Sequence, residues 1–275
     1  MEEDDILNTT EQTHQQDLER LKSLRYMDDD FMTVCLADNL EGVELILRIV
    51  LGRKDIEIKS VRTQESMKNL QGRSVILDVH AIDSTNKEFD VEIQRKDEGA
   101  GAKRARYNSS LLDAHILKPG DDTEDIPDSY VIFITENDVM EGKQPIYSVE
   151  RYVTIGENKI LFSDGSHILY VNGKYRGNDE IGKLMHDFSC TNPDDMNYEE
   201  LAKKARYFKQ SEKGVAAMCK IMEDMRNEAA LSNARETAER LIKKGKMTLE
   251  EIAECVPLLS LEELRKIEMK VMQLG

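Results

Sequence analysis

Ser74-Val-Ile-Leu-Asp78-Val-His80-Ala-Ile-Asp83, then after a short polar turn Glu88-Phe-Asp90-Val-Glu92-Ile-Gln94-Arg-Lys96, is the stretch on which the fold turns. Both halves alternate as strands, and Ser84-Thr85-Asn86-Lys87 joins them as a hairpin turn. Asp78 sits inside an apolar run, where a carboxylate is costly unless it is paired or metal-bound. Glu92 and Gln94 are two apart and share one face of their strand, with Val91 and Ile93 on the other. Two carboxylates from neighbouring strands on one side suit Mg2+ (or Mn2+), which takes oxygen ligands and keeps several waters. Such an ion turns a water into a nucleophile and stabilises charge on a phosphoryl oxygen. The competing reading makes Asp78, His80 and Asp90 a solvated face of an amphipathic hairpin. Loop parity separates the two. A two-residue loop at Thr85-Asn86 sets Asp78 opposite Ile93 and turns the acids to opposite faces, so a shared site requires an odd loop or a bulge. The odd offset is expected.

Outward from the hairpin, Asp28 to Ala37 reads as a short helix. Asn39 to Leu51 reads as a stronger one, with Leu40, Val43, Leu47 and Val50 on one face, Asn39 as N-cap and Gly52 as stop. Ile56 to Val61 alternates as a strand. Ala102 to Leu117 is a helix stopped by Pro119-Gly120. Tyr130-Val-Ile-Phe-Ile-Thr135 suits a strand buried on both faces. Tyr147 to Ile155, Lys159 to Phe162 and His167 to Val171 are further strands, punctuated by Asp164-Gly165 and Asn172-Gly173. From Asp179 the pattern is helical. The order is α/β without Rossmann alternation, and G-x-G-x-x-G, Walker A and G-x-S-x-G motifs are absent.

The 275 residues carry a net charge of −16, with 33% charged and 40% hydrophobic residues. Nucleic-acid binding over the whole surface asks for a basic protein, so the charge confines such binding to a local patch. Residues 1–30 hold ten acids against three bases, whereas 72–108 hold seven of each. No run of 18 apolar residues offers a membrane span. The start, Met1-Glu-Glu-Asp-Asp5, is unlike a signal peptide. Cys35, Cys190, Cys219 and Cys255 are far apart, which fits a reducing cytoplasm better than a disulfide framework.

At this point the sequence resembles the PD-(D/E)XK nuclease superfamily, and within it the PD-(D/E)XK nuclease family transposases, related to the recombination-promoting nucleases. The resemblance runs through Met27-Asp-Asp-Asp-Phe-Met32, Gln71-Gly-Arg-Ser-Val-Ile-Leu-Asp78-Val and Val91-Glu92-Ile-Gln94-Arg. It continues through Lys103-Arg104-Ala-Arg106-Tyr107-Asn-Ser-Ser110, Tyr130 to Glu136, Asp164 to Gly173 and Leu184-Met-His-Asp-Phe188. It implies an α/β fold: a restriction-endonuclease-like mixed sheet core in αβββαβ order, flanked by helices, with a helical C-terminal region. The expected limits are an acidic, mobile arm over 1–26, a nuclease-like core over 27–190 and helices over 191–275.

By the same resemblance Asp78 and Glu92 are catalytic and hold divalent metal. Gln94 stands where many members have Lys, Leu77 where the motif has Pro, and Met32, Thr33 and Val34 follow Phe31 where related sequences carry a Lys. Glutamine hydrogen-bonds but brings no charge, and Lys96 and Lys103 are nearby candidates to supply it. Glu44 and Glu65 are alternative outer acids.

The expected activity is Mg2+-dependent DNA endonuclease chemistry linked to mobile elements or recombination. Asp78, Glu92 and the Ile93 carbonyl act as ligands, and Gln94 places the water. Lys103, Arg104, Arg106 and Tyr107 are the expected nucleic-acid contacts, Arg104 and Tyr107 sharing a helix face. RNA remains open as substrate. The alternative is a nuclease-fold protein without catalysis that acts as a binding or regulatory partner.

His186-Asp187, His167 and His14 read as structural or inert. Val215 to Lys244 reads as one long helix with a methionine stripe, followed by capping boxes at Thr248/Glu251 and Ser260/Glu263. The last helix balances three acids and three bases, which favours packing or homo-oligomerisation over groove reading.

Overall fold

In the computed structural model, which describes residues 2–68, 74–117 and 120–273, the hairpin is the heart of a six-stranded mixed sheet. Its strands are β1 (Ile58–Met67), β2 (Val75–Asp83), β3 (Glu88–Gln94), β4 (Ser129–Thr135), β5 (Ile146–Val149) and β8 (Ser166–Asn172). They lie in the order β1-β2-β3-β4-β8-β5. β1, β2 and β3 are antiparallel, β3, β4 and β8 are parallel, and β5 closes the edge antiparallel to β8. With helices α3 (Leu40–Leu51) and α4 (Ala102–Ile116) this gives the αβββαβ order α3-β1-β2-β3-α4-β4. Pro119, and the Gln71-Gly-Arg73 part of the family resemblance, lie outside the described residues.

Local chemistry sets these limits. Asn39 Oδ1 accepts the Gly42 N–H at 3.1 Å and so satisfies one open donor of the first turn of α3. Gly52 at φ 63 closes the helix in the left-handed region that glycine enters freely. β1 runs further than its alternation predicts, to Met67, because Gln64 takes φ 53 mid-strand and the pairing resumes beyond it. The run Tyr147 to Ile155 is two strands, not one. It breaks at Glu150-Arg151, where Arg151 turns to pair with Asp164 and to donate to Ser166 Oγ at 3.1 Å. Past the break, β6 (Tyr152–Ile155) and β7 (Asn158–Leu161) form a separate ribbon exposed along both strands.

One face of the sheet meets α4. Ala105, Leu111 and Leu112 of that helix pack on Val131, Phe133, Ile168 and Tyr170, and Phe133 stacks on Tyr170 at 5.3 Å between ring centroids. Parallel pairing places Asp90 beside Val131 and Glu92 beside Phe133, so the acids of β3 stand on this same helix-covered face. The other face carries Val79, Val91, Ile132 and Ile134, all buried, and a stack of Phe89 on Tyr130 on His167. Phe133→Ala should cost about 3–5 kcal/mol in urea unfolding, because a fully buried ring at the α4 interface leaves a cavity.

Packing divides the chain into two compact units. The sheet unit spans Lys22–Ser211, so both 27 and 190, the core limits read from sequence, fall inside it. Helices α2 (Asp29–Leu36), α5 (Glu180–Ser189) and α6 (Glu199–Gln210) belong to it. Leu201, Ala202 and Ala205 of α6 are buried, and Tyr26 Oη donates to the Leu201 carbonyl at 2.9 Å. His186 and Asp187 are structural here: buried Asp187 accepts the Asn197 and Tyr198 N–H groups ahead of α6.

The second unit joins residues 1–21 to 212–275. The segment read as a mobile arm forms helix α1 (Glu2–Ser23), tied to α7 (Glu212–Lys244) by Asp17 and Arg226. The predicted long helix is α7, and both capping boxes form, at the starts of α8 (Leu249–Cys255) and α9 (Leu261–Gln273). Ala234, Ala238, Ile252, Val256 and Leu264 make its core.

Candidate active site

The hairpin loop is odd. Asp83 donates its N–H to the Lys87 carbonyl at 3.1 Å, which leaves Ser84, Thr85 and Asn86 as a three-residue loop with Asn86 at φ 63. Asp83 Oδ1 fixes it by accepting from the N–H groups of Thr85 and Lys87. The register that follows pairs Ile82 with Glu88, His80 with Asp90 and Val79 with Val91. One residue beyond this ladder Asp78 and Glu92 come close together, the charge of each carboxyl acting at the site the other occupies. The offset that a shared site requires is present.

The ladder ends at Val79 and Val91. The next N–H that β3 would donate to Leu77 is that of Ile93, and it goes instead to Asp78 Oδ2 at 3.0 Å. The strands part there, with the Asp78 side chain in the gap. The Ile93 carbonyl points to the same edge as its N–H, beside Asp78. The opposite edge is held by Gln94, whose carbonyl accepts from Glu136.

Three acids crowd together here. Asp78 is buried, and Asp90 and Glu92 are wholly so. Burial pushes the Asp78 carboxyl up to about 6, helped by the charge of Asp29 and opposed by the Ile93 N–H and Arg104. Burial, then the charge of Asp78, raises Glu92 to about 7. Asp90 is held well above the usual carboxylate range by burial and by Glu92. Asn108 donates to Asp90 Oδ2 at 3.2 Å and Gln94 Nε2 to Glu92 Oε2 at 3.2 Å. No donor meets Asp90 Oδ1 or Glu92 Oε1 in hydrogen-bond geometry, although the Asp78 N–H and the Asp90 carboxyl lie close enough to Glu92 to favour its charged form.

The four expected nucleic-acid contacts separate. Arg104 turns inward: its Nη2 donates to Glu92 Oε2 at 2.5 Å, and its Nη1 to Gln94 Oε1 and the Gly99 carbonyl at 3.2 and 3.1 Å. Asn108, one turn further along α4, is buried beside the acids as well and donates to Asp90. Lys103, Arg106 and Tyr107 are exposed on the outer side of the helix. Lys96 is exposed too, and the cation that meets Gln94 is Arg104.

Neither alternative outer acid reaches the site. Glu44 accepts the Ile58 N–H and pairs with Arg48, while Glu65 pairs with Arg62 and His80. Asp29, at the start of α2, lies nearer, and its charge acts on Asp78. Gln64 Nε2 lies 3.4 Å from Asp29 Oδ1, Thr33 Oγ1 and Asp78 Oδ1, and its left-handed backbone, uncommon for a non-glycine residue, turns it there.

The chain matches the model of PD-(D/E)XK nuclease family transposases over residues 44–250. The chain belongs to that family. No curated protein and no solved structure matches it. For a PD-(D/E)XK nuclease family transposase the substrate class is nucleic acid, and PD-(D/E)XK nucleases generally use divalent metal ions. The residues fit such an ion. Glu92 Oε1 is a buried carboxyl oxygen that no donor meets in hydrogen-bond geometry, Asp78 lies close enough for its charge to act on Glu92, and the Ile93 N–H is bound to Asp78, which puts the Ile93 carbonyl at the same edge. Among the described residues no three His, Cys, Asp or Glu side chains form a cage for a metal by themselves, so water or substrate oxygens would complete the ligand set, as Mg2+ prefers.

Proposed function

We propose that this family member hydrolyses phosphodiester bonds in DNA with Mg2+ (or Mn2+). Asp78, Glu92 and the Ile93 carbonyl hold the ion, and Gln94 orients the attacking water. The buried Glu92 Oε1, met by no donor in hydrogen-bond geometry and close to the charge of Asp78, carries this reading. When bound, the ion would lower the pKa of water and polarise the phosphoryl group. The protein's own work is positioning. The three-residue loop fixes which residues face each other, and the Ile93 N–H and Gln64 hold the Asp78 carboxylate. In the metal-free protein the Gln94 amide donates to Glu92 and accepts from Arg104.

Lys103, Arg106 and Tyr107 present the outer side of α4 to a phosphate backbone. With a net charge of −16 the rest of the chain repels DNA, so binding rests on this patch and weakens steeply with salt. Four free cysteines support a cytoplasmic setting, and among the described residues no helix is long and apolar enough to cross a membrane. Self-association through the C-terminal helices is supported by Met269 and Met272, exposed one turn apart on α9.

Plasmid nicking tests the reading. Wild-type protein is expected to nick with Mg2+ and not with EDTA, and Asp78→Ala to lose nicking under both conditions. Undiminished nicking by Asp78→Ala would overturn the assignment, and cleavage of RNA alone would correct the substrate. A second reading, a binding protein without catalysis, draws on the neutral amide of Gln94. Failure of the wild-type protein to bind Mn2+ at millimolar concentration by calorimetry would favour it.

A further inference from the structure

The helix that covers the carboxylates brings its own cation. Arg104 holds one oxygen of Glu92, and no donor meets the other in hydrogen-bond geometry. The pair is asymmetric: Glu92 is wholly buried, whereas the Arg104 side chain is 40% exposed. The remaining contacts of Arg104 are neutral, to the Gln94 amide and the Gly99 carbonyl. The charges of Asp78 and Asp90 also act on it, and its exposed part leaves it room to move off Glu92.

Two features suit the chain to this arrangement. Gln94 presents an oxygen to the guanidinium, where a lysine ammonium would repel it. Gly99 makes the room: a Cβ there would lie 2.0 Å from Gln94 Oε1 and drive the amide away from Arg104. A divalent ion on Glu92 would share one buried carboxylate with a guanidinium, and two cations that close in a poorly solvated site repel strongly. With Arg104 withdrawn, the two charges of the ion match the two of Asp78 and Glu92.

We propose that Arg104 is an exchangeable cation. It closes on Glu92 in the metal-free protein, yields that carboxylate to the divalent ion, and then meets the phosphate of the substrate, supplying the positive charge that Gln94 lacks. This rests on the reading of Asp78 and Glu92 as metal ligands.

The experiment is Mn2+ binding to the full chain by calorimetry, with no nucleic acid present, for wild type, Arg104→Met and Asp78→Ala, each checked for fold by circular dichroism. Arg104→Met is expected to bind Mn2+ about tenfold tighter than wild type, because the competing cation is gone. In a parallel nicking assay it should be slower by about a hundredfold, with Arg104→Lys intermediate, because a charge aimed at the phosphate is lost. Folded Arg104→Met with unchanged or weaker Mn2+ affinity overturns the exchange while leaving the metal site standing. Mn2+ binding that persists in Asp78→Ala, or is absent from wild type and Arg104→Met alike, overturns the metal site and the exchange with it.

Discussion

Glu92→Gln is expected to slow Mg2+-dependent cleavage by about a thousandfold while making the metal-free protein harder to melt at pH 8. The two effects have one cause. Glu92 is wholly buried, and its carboxyl titrates near 7 because ionisation costs solvation and faces the charge of Asp78. At pH 8 the folded protein carries that cost and the unfolded chain does not. An amide of the same shape removes it, a gain of about 1–3 kcal/mol, and its oxygen still accepts from Arg104. Near pH 5 the wild-type carboxyl is already neutral in the folded state, so the gain should vanish. Thermal melts of both proteins at pH 5 and pH 8, without metal, measure it. A variant that melts lower at pH 8, or that cleaves normally, would refute a buried carboxylate kept for metal.

The second large effect is the coupling of pH to metal. Asp78 and Glu92 are raised to about 6 and about 7, so at pH 5 an incoming ion must displace a proton from each. Affinity for Mn2+ should therefore climb by about a hundredfold or more between about pH 5 and 7, and level off above about pH 8, because metal binding releases those protons. Metal-free stability should move the other way. A carboxyl raised in the folded state binds more protons there than when unfolded. Its contribution is complete below the unfolded value near 4 and is lost as pH rises through 6 to 7. Calorimetry across this range checks the first trend and melting curves without metal the second. A flat affinity profile would mean that Asp78 and Glu92 are not ligands.

Much of the site could be read from sequence because strand periodicity is rigid. Given Asp78 and Glu92 on adjacent strands, only the parity of the loop was open, and the demand for one shared face decided it. Asp90 lay in view as a polar residue of the same face, but its depth depends on where α4 lands, which periodicity of the hairpin does not encode. The inward turn of Arg104 had a sequence signal that went unused. Asn108 follows it by four on a helix whose buried stripe is otherwise small or apolar, and a buried polar residue in such a stripe asks for a partner. Asp29 had no comparable signal. Its tie to Asp78 runs through Gln64, and the left-handed backbone at that glutamine interrupts the alternation of β1. The same residue lets β1 run on to Met67, past the end of its regular alternation. From Tyr147 to Ile155 the composition stays β-prone and predicts one strand, while the break at Glu150-Arg151 belongs to the pairing of Arg151 with a distant aspartate.

The loop Ser84-Thr85-Asn86 has a consequence for how such a sequence can vary. Exposed turns are ordinarily where chains accept gained or lost residues most readily. Here one residue more or less would let the strands re-pair with little loss of backbone hydrogen bonding, yet it would turn Asp78 away from Glu92. Substitutions in this turn are cheap and changes of length are not. The loop works like a reading frame, in which a single insertion leaves every later residue intact and makes the message meaningless.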